Sequence, residues 1–230
     1  MTLPNIIGDF LSLFYPKLCL LCKTNLLKKE SCLCTSCLYK LPKTDCFNQR
    51  ENKVSQLFWG RVKIINAAAL FQFSKGGSVQ ELMRQLKYDG NKKVGVFLGE
   101  ELAYALQDSN YFKNITLIVP VPLHPKKQKL RGYNQCHSIA KGLKQVLQIP
   151  INKTALIRTE NTDSQTRKKR YSRWENMANS FMVCHSGDFM NQHILLVDDV
   201  ITTGSTLEAC AQKLLEIKGV TVSIITTTIA

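Results

Sequence analysis

Residues 194–206, Ile-Leu-Leu-Val-Asp-Asp-Val-Ile-Thr-Thr-Gly-Ser-Thr, constrain this chain more than any other stretch. An apolar run at 194–197 leads into the adjacent carboxylates Asp198 and Asp199. Thr202, Thr203, Gly204, Ser205 and Thr206 then form a turn rich in hydroxyls and glycine, and an apolar helical period begins at Leu207. The order is strand, acidic pair, loop, helix. Main-chain N–H groups at a helix start, among small residues that let a ligand come close, form a ready anion site. Two acids just before such a turn suit the hydroxyls of a sugar, or a metal bridged to it. Phosphate recognition beside sugar recognition suggests a phosphorylated ribose. Receiver-like α/β domains also carry acidic pairs at strand ends, but they do not need this turn directly behind the acids.

The remaining pattern alternates strands with helices. Residues 64–73 read as a strand or hairpin ended by Gly76-Gly77. Val79, Leu82, Met83 and Leu86 have helical spacing, stopped by Asp89-Gly90, and 94–106 repeats it. Residues 115–119 read as a buried strand, 136–147 as a helix, 155–157 as a short strand, 207–217 as an amphipathic helix and 220–226 as a closing strand. Such alternation predicts an α/β fold with a parallel sheet flanked by helices and ligands at the carboxyl ends of its strands. A chain of 230 residues suits one good-sized domain with a small appendage. The polar stretch 38–60 reads as a linker, so the expected division is 1–50 and 51–230.

Five of the nine cysteines fall within residues 19–37. Cys19-Leu-Leu-Cys22 and Cys34-Thr-Ser-Cys37 are two C-x-x-C turns, and two such turns complete a tetrahedral thiolate shell of the kind zinc takes. A shell closed by four protein ligands is structural rather than catalytic. Cys32 and Cys46 remain open as competing ligands. The clustering argues against a disulfide framework and for a reducing, cytoplasmic setting.

The net charge of +14 favours polyanionic or phosphorylated partners. Val119-Pro-Val-Pro122 leaves the 115–119 strand, and Lys126, Lys127, Lys129 and Arg131 follow in a basic loop. Arg131-Gly132 offers a guanidinium beside an approachable backbone, a plausible pyrophosphate contact. Residues 158–176 are almost wholly polar, as expected of a lid or binding loop. Its Arg167, Lys168, Lys169, Arg170 and Arg173 suit a departing pyrophosphate; with Tyr171 and Trp174 interleaved they suit single-stranded nucleic acid equally. No run approaches the roughly 18 apolar residues of a membrane span. The apolar patches near the N-terminus lack a basic leader and read instead as an amphipathic helix over 6–14.

Together these motifs resemble the ComF/GntX-type family, whose members carry a small N-terminal zinc-ribbon-like module ahead of a type I phosphoribosyltransferase-like domain. The resemblance rests on the two C-x-x-C pairs, Leu86-Lys-Tyr-x-Gly90, Val119-Pro-Val-Pro122 with Arg131-Gly-Tyr-Asn-Gln135, Arg158 through Gln165 to Arg173-x-x-Asn176, and the 197–206 segment. It implies a protein that binds phosphoribosyl pyrophosphate with Mg²⁺. Asp198 and Asp199 would contact the ribose 2- and 3-hydroxyls, residues 202–206 would hold the 5-phosphate, and Val121 and Pro122 would sit near the pyrophosphate. Mg²⁺ would bridge pyrophosphate and ribose oxygens. The domain is also similar to the transferase half of glutamine amidophosphoribosyltransferases; the missing glutaminase half sets amide-nitrogen transfer aside. No residue names the acceptor. The family is linked by name to uptake of transforming DNA. That link leaves three expectations standing: a phosphoribosyltransferase, a non-catalytic single-stranded DNA-binding accessory, and an adaptor that docks a DNA-uptake motor protein through the zinc module.

Overall fold

The computed structural model describes residues 16–159 and 180–230. The helix expected over 6–14, and the basic segment with Arg167, Lys168, Lys169, Arg170 and Arg173, lie outside those residues. In chain order the elements are α1 (Thr35–Tyr39), a 3₁₀ turn (Cys46–Asn48), α2 (Lys53–Gln56), β1 (Ala67–Gln72), α3 (Ser78–Lys87), α4 (Lys92–Asp108), β2 (Leu117–Pro120), α5 (Pro125–Arg131), α6 (Gln135–Leu147), β3 (Leu156–Arg158), β4 (Phe181–Val183), a 3₁₀ turn (Ser186–Phe189), β5 (His193–Ile201), α7 (Ser205–Leu215) and β6 (Thr221–Ile229).

Four strands form a parallel sheet in the order β1-β6-β5-β2. Ile194, Leu195, Leu196 and Val197 are all buried, so both faces of β5 are covered, which is why this strand reads as a continuous apolar run. Parallel pairing sends the carboxyl ends of β5 and β2 out on one side, with Val197 beside Pro120. β3 and β4 pair antiparallel, bringing Arg158 opposite Phe181.

Helices α4 and α6 cross at backbone contact. A Cβ added to Gly99 would lie 2.0 Å from the Ile139 carbonyl oxygen, and one added to Gly142 would lie 2.0 Å from that of Val96. Glycine is required at this crossing because any side chain would push the helices apart. The crossing fixes the start of α6 over the end of the sheet.

Four expectations need correction. The stretch 38–60 is not an unstructured linker. Phe47, Val54 and Phe58 are buried, and the polar residues are caps: Asn52 accepts from the Val54 and Ser55 N–H groups and donates to the carbonyls of Cys46, Gln49 and Ala67. The basic loop after residue 125 is helix α5, started by Pro125 and by the Lys126 N–H donating to His124 Nδ1 at 3.2 Å. Strand β5 does not stop at Val197 but runs to Ile201, since β6 continues alongside it as far as Ile229. Helix α7 starts at Ser205 rather than Leu207, because Gly204 takes the left-handed conformation (φ +75°) as its N-cap.

Candidate functional site

Asp198 and Asp199 thus lie on the strand itself, and consecutive strand residues face opposite ways. Their contacts follow that alternation. Asp198 Oδ1 accepts the Cys136 thiol, from the first turn of α6, at 3.3 Å and the Asp199 N–H at 2.8 Å. Asp199 Oδ2 pairs with Lys87 Nζ, at the end of α3, at 3.2 Å. The Asp199 carbonyl accepts hydroxyls of Thr227 and Thr228 from β6. Burial, with the charge of Asp199 second, raises Asp198 from its ordinary 3.8 to about 7, while the Asp199 N–H, the Cys136 thiol and Lys87 oppose the rise. Burial likewise pushes the Cys136 and Cys210 thiols well up, with Asp198 the next cause for each.

The turn after β5 exposes Thr202 and Thr203 and half-buries Ser205 and Thr206. Gly204, the N-cap of α7, offers no side-chain cap to the first-turn N–H groups. Beneath the turn lies the Phe58 ring, 3.2 Å from where a Gly204 Cβ would sit.

Val121 continues the sheet, its N–H donating to the Val197 carbonyl at 2.9 Å, and the Asn134 side chain holds the Val121 carbonyl at 2.9 Å. Pro122 beside it is half-buried. Arg131 ends α5 with its guanidinium 5.7 Å from the Tyr88 ring centre, and Gly132 closes the helix at φ +74°. Tyr133 senses both Arg131 and Asp199: burial holds its hydroxyl up at about 12, Arg131 opposes, and Asp199 assists. The acids, the turn, the exit of β2 and the end of α5 are therefore gathered at the carboxyl edge of β5 and β2. A cavity of about 360 Å³ runs along α3 from Phe73 to Tyr88, and Met83 and Lys87 line it while also touching Thr227 and Asp199.

Lys87, Cys136 and Arg61, whose Nη1 donates to the Thr203 carbonyl at 2.9 Å, carry no site signal of their own in the sequence. Each reaches the site from an element far away along the chain. The only local signal was Lys87 within the Leu86-Lys-Tyr-x-Gly90 motif.

The second cluster is formed by Cys19, Cys22, Cys34 and Cys37, whose sulfur atoms all lie within 4.8 Å of one another, an arrangement that could hold a metal ion. Turn bonds from Lys23 N–H to Cys19 O (3.0 Å) and from Cys37 N–H to Cys34 Sγ (3.5 Å) shape the two thiol turns. The Thr24 hydroxyl bond lowers Cys22 to about 6, while its bond to Cys22 raises Cys37 to about 12, so the thiols of the cluster share protons. Cys32 stands apart. It is buried, and the charges it senses are Glu100 and Lys93 of α4. Cys46 is also buried outside the cluster, at the start of the first 3₁₀ turn. All four sulfurs suit zinc, so the donor set fits that ion.

Residues 135–230, from the start of α6 through the acids to β6, match the family described as the phosphoribosyl transferase domain. The class defined by fold and motif is thus a phosphoribosyltransferase-type domain behind a four-cysteine module. The chain is 32% identical over 137 residues to competence protein F of Haemophilus influenzae, covering 58% of this chain and 60% of that protein. It is 28% identical over 204 residues to competence protein ComFC of Bacillus subtilis, covering 87% of this chain and 78% of that one. Among solved structures, glutamine phosphoribosylpyrophosphate amidotransferase from Bacillus subtilis aligns with a TM-score of 0.43 at 18% identity, over 62% of this chain and 30% of that one. The relatives named competence protein F and ComFC, together with the phosphoribosyl transferase domain, support a ComF-type family for this chain. Among the described residues no helix is long and apolar enough to cross a membrane.

Proposed function

We propose that the chain binds phosphoribosyl pyrophosphate with Mg²⁺ and transfers its phosphoribosyl group to an acceptor, as a cytoplasmic protein of DNA uptake. One observation supports this reading: the first turn of α7, without a side-chain cap, stands directly behind the acids of β5, an order that would let an anion and a sugar bind at one strand end. In this reading the N–H groups and hydroxyls of Thr202, Thr203, Gly204, Ser205 and Thr206 hold the 5-phosphate. Asp198 and Asp199 hold the furanose hydroxyls. Breaking the C1–O bond builds positive charge on the sugar and negative charge on pyrophosphate; the carboxylate charge at the end of β5 would offset the first, and Arg131 with the Val121–Gly132 edge the second. The carboxylates fit a hard divalent ion, and Asp199 already carries a cation, the Lys87 ammonium. Mg²⁺ held by Asp198 and Asp199 would supply charge neutralisation for the leaving pyrophosphate. The acceptor would enter along α3 beside Lys87. In this reading residues 1–50 carry the structural zinc module and 51–230 the catalytic part, the two sharing one core through Leu33 and Phe47.

Phosphoribosyl pyrophosphate with Mg²⁺ at a hundredfold excess over its Kd is expected to stabilise the fold by about 2.7 kcal/mol. That is a rise in melting temperature of about 5–10 °C for a chain of this size. The combined Asp198→Asn and Asp199→Asn variant should lose the rise. Because Asp198 must shed its proton to work, affinity should be full above about pH 7 and decline as pH falls through about 7. Absence of any thermal shift with the unaltered protein removes the reading.

A second reading, a single-stranded DNA accessory, is favoured by a groove of about 630 Å³ between the cysteine module and the start of α4, which Lys17, Lys92 and Lys93 line. Oligonucleotide binding to such a groove should weaken steeply with salt. A flat salt response would count against it.

A further inference from the structure

The turn after β5 is held by one arginine that directly follows the stretch expected to be linker. Arg61 Nη1 donates to the carbonyls of Leu57 (2.7 Å) and Thr203 (2.9 Å). Its Nη2 reaches Ser205 Oγ at 3.4 Å and pairs with the Glu208 carboxylate. Glu208 sits in the first turn of α7 with its side chain 3% exposed. A buried carboxylate one helical turn behind an anion site suits the helix dipole itself but repels an incoming phosphate and offsets the dipole's pull on it. We infer that Arg61 is a positioning residue of the 5-phosphate subsite: it draws the Thr203 carbonyl inward, so that the turn presents N–H groups to the ligand, and it cancels the charge of Glu208. This inference rests on the proposed phosphoribosyl pyrophosphate reading and assigns a residue to it.

The geometry separates the two jobs. The Thr203 and Leu57 contacts need only a donor in the right place. The Glu208 contact needs a positive charge, and removing the carboxylate would make that charge unnecessary. The Arg61 side chain is 32% exposed, and its guanidinium only donates, so it takes up carbonyl and carboxylate oxygens and leaves the turn's N–H groups to a ligand.

The test is calorimetric binding of ribose 5-phosphate and of Mg-pyrophosphate, which lacks the 5-phosphate, to four proteins: unaltered, Arg61→Met, Glu208→Gln and Arg61→Met with Glu208→Gln. Arg61→Met is expected to weaken ribose 5-phosphate at least tenfold and to leave Mg-pyrophosphate within twofold. Adding Glu208→Gln should restore the part of the affinity lost to the uncancelled carboxylate, which a general loss of folding would not allow, while the part owed to the Thr203 carbonyl stays lost. If ribose 5-phosphate binds Arg61→Met as tightly as the unaltered protein, or if both ligands weaken together without rescue, the assignment is overturned while the pocket reading stands. If the unaltered protein binds neither ligand, the pocket reading fails and takes this assignment with it.

Discussion

Replacing Gly99 with alanine is expected to destabilise the fold by about 3 kcal/mol or more, the upper end of what overpacking costs. The added Cβ would stand 2.0 Å from the Ile139 carbonyl oxygen, 2.9 Å from its carbon and 3.0 Å from the Gly142 Cα. All three are backbone atoms of α6, so no rotamer change relieves the clash and the helices must separate. Alanine gains about 1 kcal/mol over glycine in helix propensity, which is too little to compensate. For a chain of this size the loss amounts to a melting temperature lower by about 6–12 °C. Gly187→Ala is the control. It is exposed, nothing lies within 4 Å of its Cβ position, and the change should stay within about 0.5 kcal/mol. Urea unfolding reads both. Equal midpoints for Gly99→Ala and the unaltered protein would show that the helices do not touch at this crossing. The effect should extend to the site, because α6 carries Cys136 against Asp198. In a Gly99→Ala protein still folded at 20 °C, phosphoribosyl pyrophosphate affinity should fall as well.

This crossing shows which parts of the molecule can be read from a sequence. The spacing of Gly95 and Gly99 puts both on one face of α4, but nothing local says that the facing surface is Ile139 and Gly142. The acids, the turn and the two C-x-x-C pairs were legible because their chemistry lies in contiguous residues. Lys87, Cys136 and Arg61 were not, because each meets the site only through the fold. Two departures from the sequence expectation share one cause: polar stretches here carry structure. In α5 none of the residues is buried, so no apolar period marks the helix, and its signal was the capping pair His124 and Pro125. Around α2 the polar residues are buried by use, Asn52 and Ser55 forming a reciprocal cap against β1. Arg61 follows directly on that segment and meets the turn after β5 only through the fold, at the Thr203 carbonyl.

Loss of metal from the cysteine cluster is expected to have the largest effect of all, confined to the N-terminal module. Binding of a structural zinc ion is worth about 10–16 kcal/mol in small isolated zinc modules, and that energy is their folding energy. Here the module's one described helix, α1, has five residues, far below what a helix sustains alone. Its own backbone bonds are few, such as Cys19 N–H to Thr24 O at 2.8 Å and Leu20 N–H to Cys32 O at 3.0 Å. Without an ion, sulfur atoms that all lie within 4.8 Å of one another repel if ionised, and protonation leaves them joined only by weak thiol contacts. Elemental analysis should find one zinc per chain, and Cys34→Ser with Cys37→Ser should lose it. Cys32→Ser should keep it, since Cys32 faces α4. Stripping the ion with a chelator should open the stretch around residues 19–37 to protease while the thermal response to phosphoribosyl pyrophosphate persists, because the phosphate turn and the acids belong to the sheet. Leu33 and Phe47, buried in the common core, should then become partly exposed and lower the melting temperature of the remainder by a few degrees at most. Stoichiometric zinc in the Cys34→Ser, Cys37→Ser protein would show that the ion sits elsewhere. Loss of the ligand response on chelation would show that the module and the pocket fold as one unit.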